Sequence, residues 1–410
     1  MSNDLTTAAG PTPAARPDRA SPLRFAAWFA YVLAVGDVLL QFIRCNLTPA
    51  LETPCRSCLR TDNFFSFSSG HVRRALCGEI MYRLDLAGLP GPFLYALLLA
   101  LVFLLSYGVL LPACLRKDRP AALVLIALSP LLPLWLFDRD ILVLVPMLYL
   151  FARRRTDLPF FLLIAVLAFA HESVLLFYSV FLVQPLYLAI RHRSARNLVR
   201  ILPVLAAGLV FLLVPARVSH VLELTYWPSR GFPGLQESWL YRFAGNPLGK
   251  TISLHLGWLL SVRGLVEWTA VLVFFLLVIA TLNRDRMRPA ETLWLLAVNT
   301  GFFVLTVDYG RYIPVLFAFY TAYSLYAPPL TSNAPSQDGP GGAGRLRLAA
   351  AAVASFTVRH RTALLVLLAL AVLGPWVTEP DPAPAFYTRV SSWVSRAGEV
   401  LRRIGLPLPI

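Results

Sequence analysis

Short clusters of ionisable side chains interrupt long apolar stretches in this chain. Asp138-Arg139-Asp140 sets two carboxylates around a guanidinium. His171-Glu172-Ser173 joins an imidazole, which exchanges protons near neutral pH, to a carboxylate that becomes a base once water is excluded. Asp308-Tyr309-Gly310-Arg311 holds an acid and an arginine three residues apart, a spacing that closes a salt bridge along a helix. The same arginine has the planar fork that grips phosphate better than lysine does. Arg73 and Arg74 offer two more cations for a diphosphate, and Asp37 sits inside an apolar run. Each cluster has a plainer reading too. Residues 138–140 suit a tight turn with its charges in water, and 171–173 suit a satisfied His–Glu pair in a helix seam. Residues 308–311 suit an ordinary ion pair, and Arg73 and Arg74 suit headgroup anchors.

The chain lacks a P-loop, a glycine-rich dinucleotide turn, an HExxH and a GxSxG motif. ATP hydrolysis and soluble-cofactor chemistry are therefore disfavoured, and neither a cofactor nor a catalytic metal is expected. Cys45, Cys55, Cys58 and Cys77 fall close together in the first third of the chain. On an oxidising side they suit one or two disulfides; free thiols and a zinc site at Cys55-x-x-Cys58 are the alternatives.

The elements that must position these groups are apolar. Hydrophobic residues make up 57% of the chain and charged residues 14%, with a mean hydropathy of +0.65. A soluble domain carries roughly 25% charged residues, so the polar surface needed to coat a globule in water is missing. Uncharged runs such as 121–137 and 173–190 read as bilayer-spanning helices, because lipid cannot satisfy an open backbone. The net charge of +15 is gathered in arginine-rich turns at 116–119, 153–155, 191–200, 284–288 and 345–361, which occupy alternate connections. That is the positive-inside pattern, and it puts the N-terminus in the cytoplasm without invoking nucleic acid. Lys117 and Lys250 are the two lysines, and with so much Ala, Leu and Pro the composition suits a high-GC bacterial genome.

The expected fold class is all-α, a polytopic transmembrane helical bundle of about eleven spans. Residues 1–22 form a disordered cytoplasmic tail, and 23–327 form the core of spans one to ten, with outer loops at 44–90 and 217–261. Residues 328–361 are a flexible basic cytoplasmic loop, 362–378 the last span, and 379–410 an amphipathic outer tail. Within the first outer loop, 71–86 has helical spacing, with Val72, Leu76, Ile80 and Leu84 along one stripe, and reads as an interfacial helix. The fourth and fifth spans, 141–152 and 159–170, are short. Twelve residues cover about 18 Å of a core about 30 Å thick. Either residues 138–140 dip into the membrane plane or polar residues extend the helix along a cavity. By this topology Asp37, Arg73, Arg74, Asp138, Arg139, Asp140, His171, Glu172, Asp308 and Arg311 share the outer face.

The stretch 138–187 resembles the middle of the EpsG/Wzy-type exopolysaccharide polymerase family, membrane proteins with a C-type glycosyltransferase-like helical bundle. The likeness is carried by Asp138-Arg139-Asp140-Ile141, the basic turn Arg153-Arg154-Arg155, and Ala168-Phe169-Ala170-His171-Glu172-Ser173. Asp308-Tyr309-Gly310-Arg311-Tyr312 is similar to a late Arg-Tyr segment of that family. The resemblance implies a polyprenyl-(di)phosphate-linked sugar presented from the outer leaflet. Glu172 or Asp140 would be the base, His171 its partner, and Arg73, Arg139 and Arg311 the phosphate clamps. Expected partners are that lipid-linked sugar, membrane lipids and other envelope-assembly proteins, and the expected place is the bacterial cytoplasmic membrane. A transporter or lipid flippase, or a non-catalytic scaffold, are the competing classes.

Overall fold

The computed structural model describes residues 22–47, 64, 66–71, 75–114, 123, 126, 127, 139–193, 195–214, 217, 218, 225–230 and 232, with scattered helical positions between 256 and 323. These residues are mostly helical. The expectations for residues 1–21 of the tail, the loop 328–361, the last span 362–378 and the tail 379–410 lie outside them.

Helix α1, Pro22–Leu47, buries Ala27, Tyr31, Ala34, Val35, Val38 and Phe42 at helical spacing. Its other face is also apolar, with Phe25 at 73% and Phe29 at 57% exposure. Helix α2, Leu76–Leu86, ends in a Schellman turn: Leu89 N–H donates to the Leu84 carbonyl (2.9 Å) and Gly88 N–H to that of Asp85 (3.0 Å). Gly88 takes φ +77°, which a residue without Cβ adopts freely. The chain then enters α3, Gly91–Cys114, so close to α2 that a Cβ on Gly91 would lie 2.2 Å from the Met81 carbonyl oxygen. Helix α3 has 24 residues and a mean hydropathy of 2.5; among the described residues it alone is long and apolar enough to cross a bilayer. Its middle, Leu104–Leu110, widens into π turns, where the Tyr31 hydroxyl donates to the Tyr107 carbonyl.

A buried 3-10 segment, Arg139–Leu144, leads into α4, Val145–Arg153. Arg154 closes α4 in the left-handed region (φ 52°), its N–H donating to the Leu150 carbonyl at 2.7 Å. Asp157 then caps α5, Leu158–Ala168, accepting from Phe160 N–H at 3.3 Å and from the Tyr149 hydroxyl at 2.9 Å. After a four-residue break come α6, Ser173–Tyr178, and α7, Val180–His192, which contains Pro185. Helix α8, Ala195–Leu213, contains Pro203 and packs on α5 and α7. Buried helical residues between 315 and 323 cover α6 and α7, with Phe319 against Tyr178 and Tyr323 against Phe181, both at 5.1 Å.

Three departures from the sequence expectations are physical. The helix expected over 71–86 begins at Leu76, because Gly70–His71 is drawn into a two-residue antiparallel pair with Arg217–Val218. Its packed face is Cys77, Gly78 and Met81, while Ile80 of the expected stripe is 49% exposed. The small Cys77 and Gly78 admit close helix contact, so together with Met81 they mark the inner face. The apolar run expected as one helix over 173–190 is split at Ser179, whose hydroxyl donates back to the Leu176 carbonyl at 2.6 Å, a bond that competes with the helix ladder.

Candidate functional site

The break between α5 and α6 is turn-like. Phe169 and Ala170 N–H donate to the Val166 and Leu167 carbonyls at 3.1 and 2.9 Å, and His171 N–H to that of Leu167 at 2.8 Å. The chain turns out of α5 at Phe169, and His171 is carried into the interior with 1% exposure. Opposite it, the 3-10 segment presents Asp140, 3% exposed, in its first turn. His171 Nε2 lies 2.6 Å from Asp140 Oδ1. Arg139, the next residue, is fully buried.

The other ring nitrogen is engaged as well. Ser173 Oγ lies 2.6 Å from His171 Nδ1, and the Ser173 backbone N–H donates to the same nitrogen at 3.2 Å. A backbone N–H only donates, so Nδ1 carries the lone pair and a neutral ring keeps its proton on Nε2, facing Asp140. Tyr178, at the far end of α6, donates its hydroxyl to the Val143 carbonyl at 2.6 Å. The segments bearing His171 and Asp140 are thus tied together twice.

Next to this pair, segments from 64–71 and 225–232 meet on α2. The Leu76 N–H, at the start of α2, donates to the Phe169 carbonyl at 3.2 Å. Glu79 on α2 accepts from the Ser66 hydroxyl, from Ser68 N–H at 2.8 Å and from Arg83 Nε at 2.7 Å. Burial pushes the Glu79 carboxyl up, but the bonds from Ser66, Arg83 and Ser68 outweigh it and hold the pKa at about 2. Asp85 accepts from the Tyr226 hydroxyl and lies 3.4 Å from Arg230 Nε. Burial and that bond to Asp85 both push the Tyr226 phenol up, so it remains a donor. Trp227, 1% exposed, stacks its edge among Phe64, Tyr226 and Phe232.

Of the sequence candidates, Asp140 and His171 come together in the interior, Arg139 is buried next to Asp140 in the chain, and Glu172 is half-buried at the start of α6. Asp37 is half-buried on α1. Asp138, Arg73, Arg74, Asp308 and Arg311 lie outside the described residues, as do Cys55 and Cys58; Cys77 is buried at 4% exposure on α2. Ser173 was given no role by residue type alone. Its signal is the His-x-Ser spacing at a helix start, since Nδ1 is the ring nitrogen nearer the backbone and within reach of a residue two positions on. Among the described residues, no three His, Cys, Asp or Glu side chains gather closely enough to hold a metal ion. No family model, curated protein or solved structure matches the chain.

Proposed function

We propose that the chain is a multi-pass protein of the bacterial cytoplasmic membrane that transfers sugars from polyprenyl-phosphate carriers at the outer face, as a glycosyltransferase or polysaccharide polymerase. The membrane setting is supported by the outward faces of the helices. Leu97, Leu101, Leu105 and Val109 on α3, and Leu202, Leu205, Leu209 and Leu213 on α8, are each at least 40% exposed. In water such faces would form an apolar patch far larger than soluble monomers tolerate. Taken with the arginine-rich turns, the N-terminus is cytoplasmic and the Arg153–Arg155 turn marks the inner interface.

Depth then supports a site open to the outer side. Helix α5 has 11 residues, a rise of about 16 Å, so the break carrying His171 falls short of the outer edge of a core about 30 Å thick. Irregular backbone at that depth is tolerated where it is enclosed by protein or lines a cavity. The observation that carries the reading is the His171–Asp140 contact at 2.6 Å, with Arg139 beside it, inside an otherwise apolar bundle. An acid and an imidazole in contact form a proton acceptor for a sugar hydroxyl. A neighbouring guanidinium suits the phosphate that departs as the glycosidic bond forms. Glu172 is the more accessible second carboxylate. Single alanine replacements of Asp140, His171, Glu172 and Arg311 should each lower extracellular glycan in the host; four variants at wild-type output would remove the site.

A lipid transporter is the second reading, favoured by the proline-containing neighbours α7 and α8 and the π turns in α3. The two differ in where substrate accumulates when His171 is replaced. A polymerase leaves unpolymerised lipid-linked sugar on the outer leaflet, and a transporter leaves it on the inner one.

A further inference from the structure

We propose that Ser173, His171 and Asp140 work as one proton relay in which the Ser173 hydroxyl, and not the imidazole, meets the acceptor. This rests on the transferase reading above and assigns the residue that reading leaves out. Both ring nitrogens of His171 are taken: Nε2 by Asp140 Oδ1 at 2.6 Å and Nδ1 by Ser173 Oγ at 2.6 Å. An imidazole held at both ends bridges its neighbours and has no nitrogen left for a third oxygen. The proton acceptor that faces outward must therefore be an end of the chain of contacts. Both ends are buried, Asp140 at 3% and Ser173 at 1% exposure, and Ser173 is the end that opens α6 directly after the break and next to half-buried Glu172.

The arrangement serves both charge states of the ring. With the ring neutral, the Ser173 hydroxyl donates to Nδ1, as the backbone N–H does at 3.2 Å. With the ring protonated, Nδ1–H donates back to Oγ, and the Asp140 carboxylate faces the resulting cation. In the transfer step the acceptor oxygen bonds to the anomeric carbon and the bond from that carbon to the carrier phosphate breaks. The acceptor proton passes to Ser173 Oγ as the serine proton passes to His171 Nδ1, and the phosphate leaves as an anion. Ser173 is 1% exposed, so the acceptor enters when the break at 169–172 shifts outward.

Two measurements on the full chain test this. Histidine-15N-labelled protein in lipid nanodiscs, titrated until the ring is neutral, should show the lone pair of His171 on Nδ1, the signal being assigned by its loss in H171Q. In the host, S173A should lower extracellular polymer about a hundredfold, while S173T, which keeps the hydroxyl, should stay near wild type. Matching membrane levels of all variants keep folding out of the comparison. A proton on Nδ1 of the neutral ring overturns the relay whatever the glycan result. Wild-type polymer in S173A with loss in H171Q also overturns it and leaves the transferase reading standing. Wild-type polymer in both variants overturns the relay and that reading together.

Discussion

The N–H of Leu76 donates to the carbonyl of Phe169 at 3.2 Å, so the first amide of α2 is capped by the same break that carries His171. Helix starts leave such amides without intrahelical partners. Here Ala75 and Glu172, at the caps of α2 and α6, supply no side-chain cap, and a backbone carbonyl from another element serves α2 instead. The segments 66–71 and 225–230 and the buried pair are therefore mechanically joined through α2. Ser66 and Ser68 hold the first segment to Glu79, Tyr226 and Arg230 hold the second to Asp85, and α2 passes both constraints to residue 169.

Glu79 makes that clasp dependent on charge. Its pKa falls from an ordinary 4.5 to about 2, a depressed value, so the stability it contributes is fully present above pH 4.5 and lost as pH falls through about 2. E79Q should melt below wild type by a constant margin between pH 8 and 5. The margin should shrink from pH 4.5 downward. Thermal unfolding of purified protein across that range checks it. A margin that narrows near neutral pH would mean that the carboxylate is not held by these bonds.

Gly91 is where α2 and α3 touch, and no side chain fits there, since the Met81 carbonyl stands 2.2 Å from the Cβ position. G91A should destabilise by about 2 kcal/mol, because the obstacle is backbone and cannot rotate away. Gly208, in α8, has nothing within 4 Å of its Cβ position. G208A should be neutral or stabilising by up to about 1 kcal/mol from helix propensity. Melting temperatures of the pair in one detergent separate local crowding from a general effect of adding a methyl group.

Some of this was legible in the sequence. Asp140 and His171 stand out by type, as ionisable groups in apolar surroundings, and burial of residues 139 and 140 agrees with one of the two readings that the short runs 141–152 and 159–170 left open. Helix α1 and α3 were visible as long apolar runs. The stripe through Ile80 misled because periodicity reports an inner face only when the outer face is polar. On α2 the exposed face mixes Ile80 and Leu86 with Arg83, so apolar spacing does not single out the inner face, and Cys77 and Gly78 were the better guides. The His171–Asp140 contact and the Tyr226–Asp85 bond depend on packing between distant segments, which periodicity does not encode. The β1–β2 pair, Gly70–His71 with Arg217–Val218, is too short to leave an alternating pattern.

The turn after α2 tests whether its exit geometry matters. Gly88 at φ +77° allows the Leu89 and Gly88 amides to reach the carbonyls of Leu84 and Asp85. G88A should cost about 1 kcal/mol, since Cβ disfavours the left-handed region, and G88N should cost less. Equal melting temperatures for the two variants would show that the turn has relaxed to another conformation.

Tyr178 separates the tie from the chemistry. Its hydroxyl reaches the Val143 carbonyl at 2.6 Å and holds α6 to the 3-10 segment through a backbone acceptor. Y178F keeps the ring and its packing against Phe319 and Phe160 and removes only the donor. The loss should be about 1 kcal/mol in stability. If α6 must sit against residues 139–144 for proton transfer, glycan output in Y178F should fall several-fold, well short of the loss in H171Q, and should recover at lower growth temperature. Output that falls as far as in H171Q at every temperature would instead place the phenol among the reacting groups.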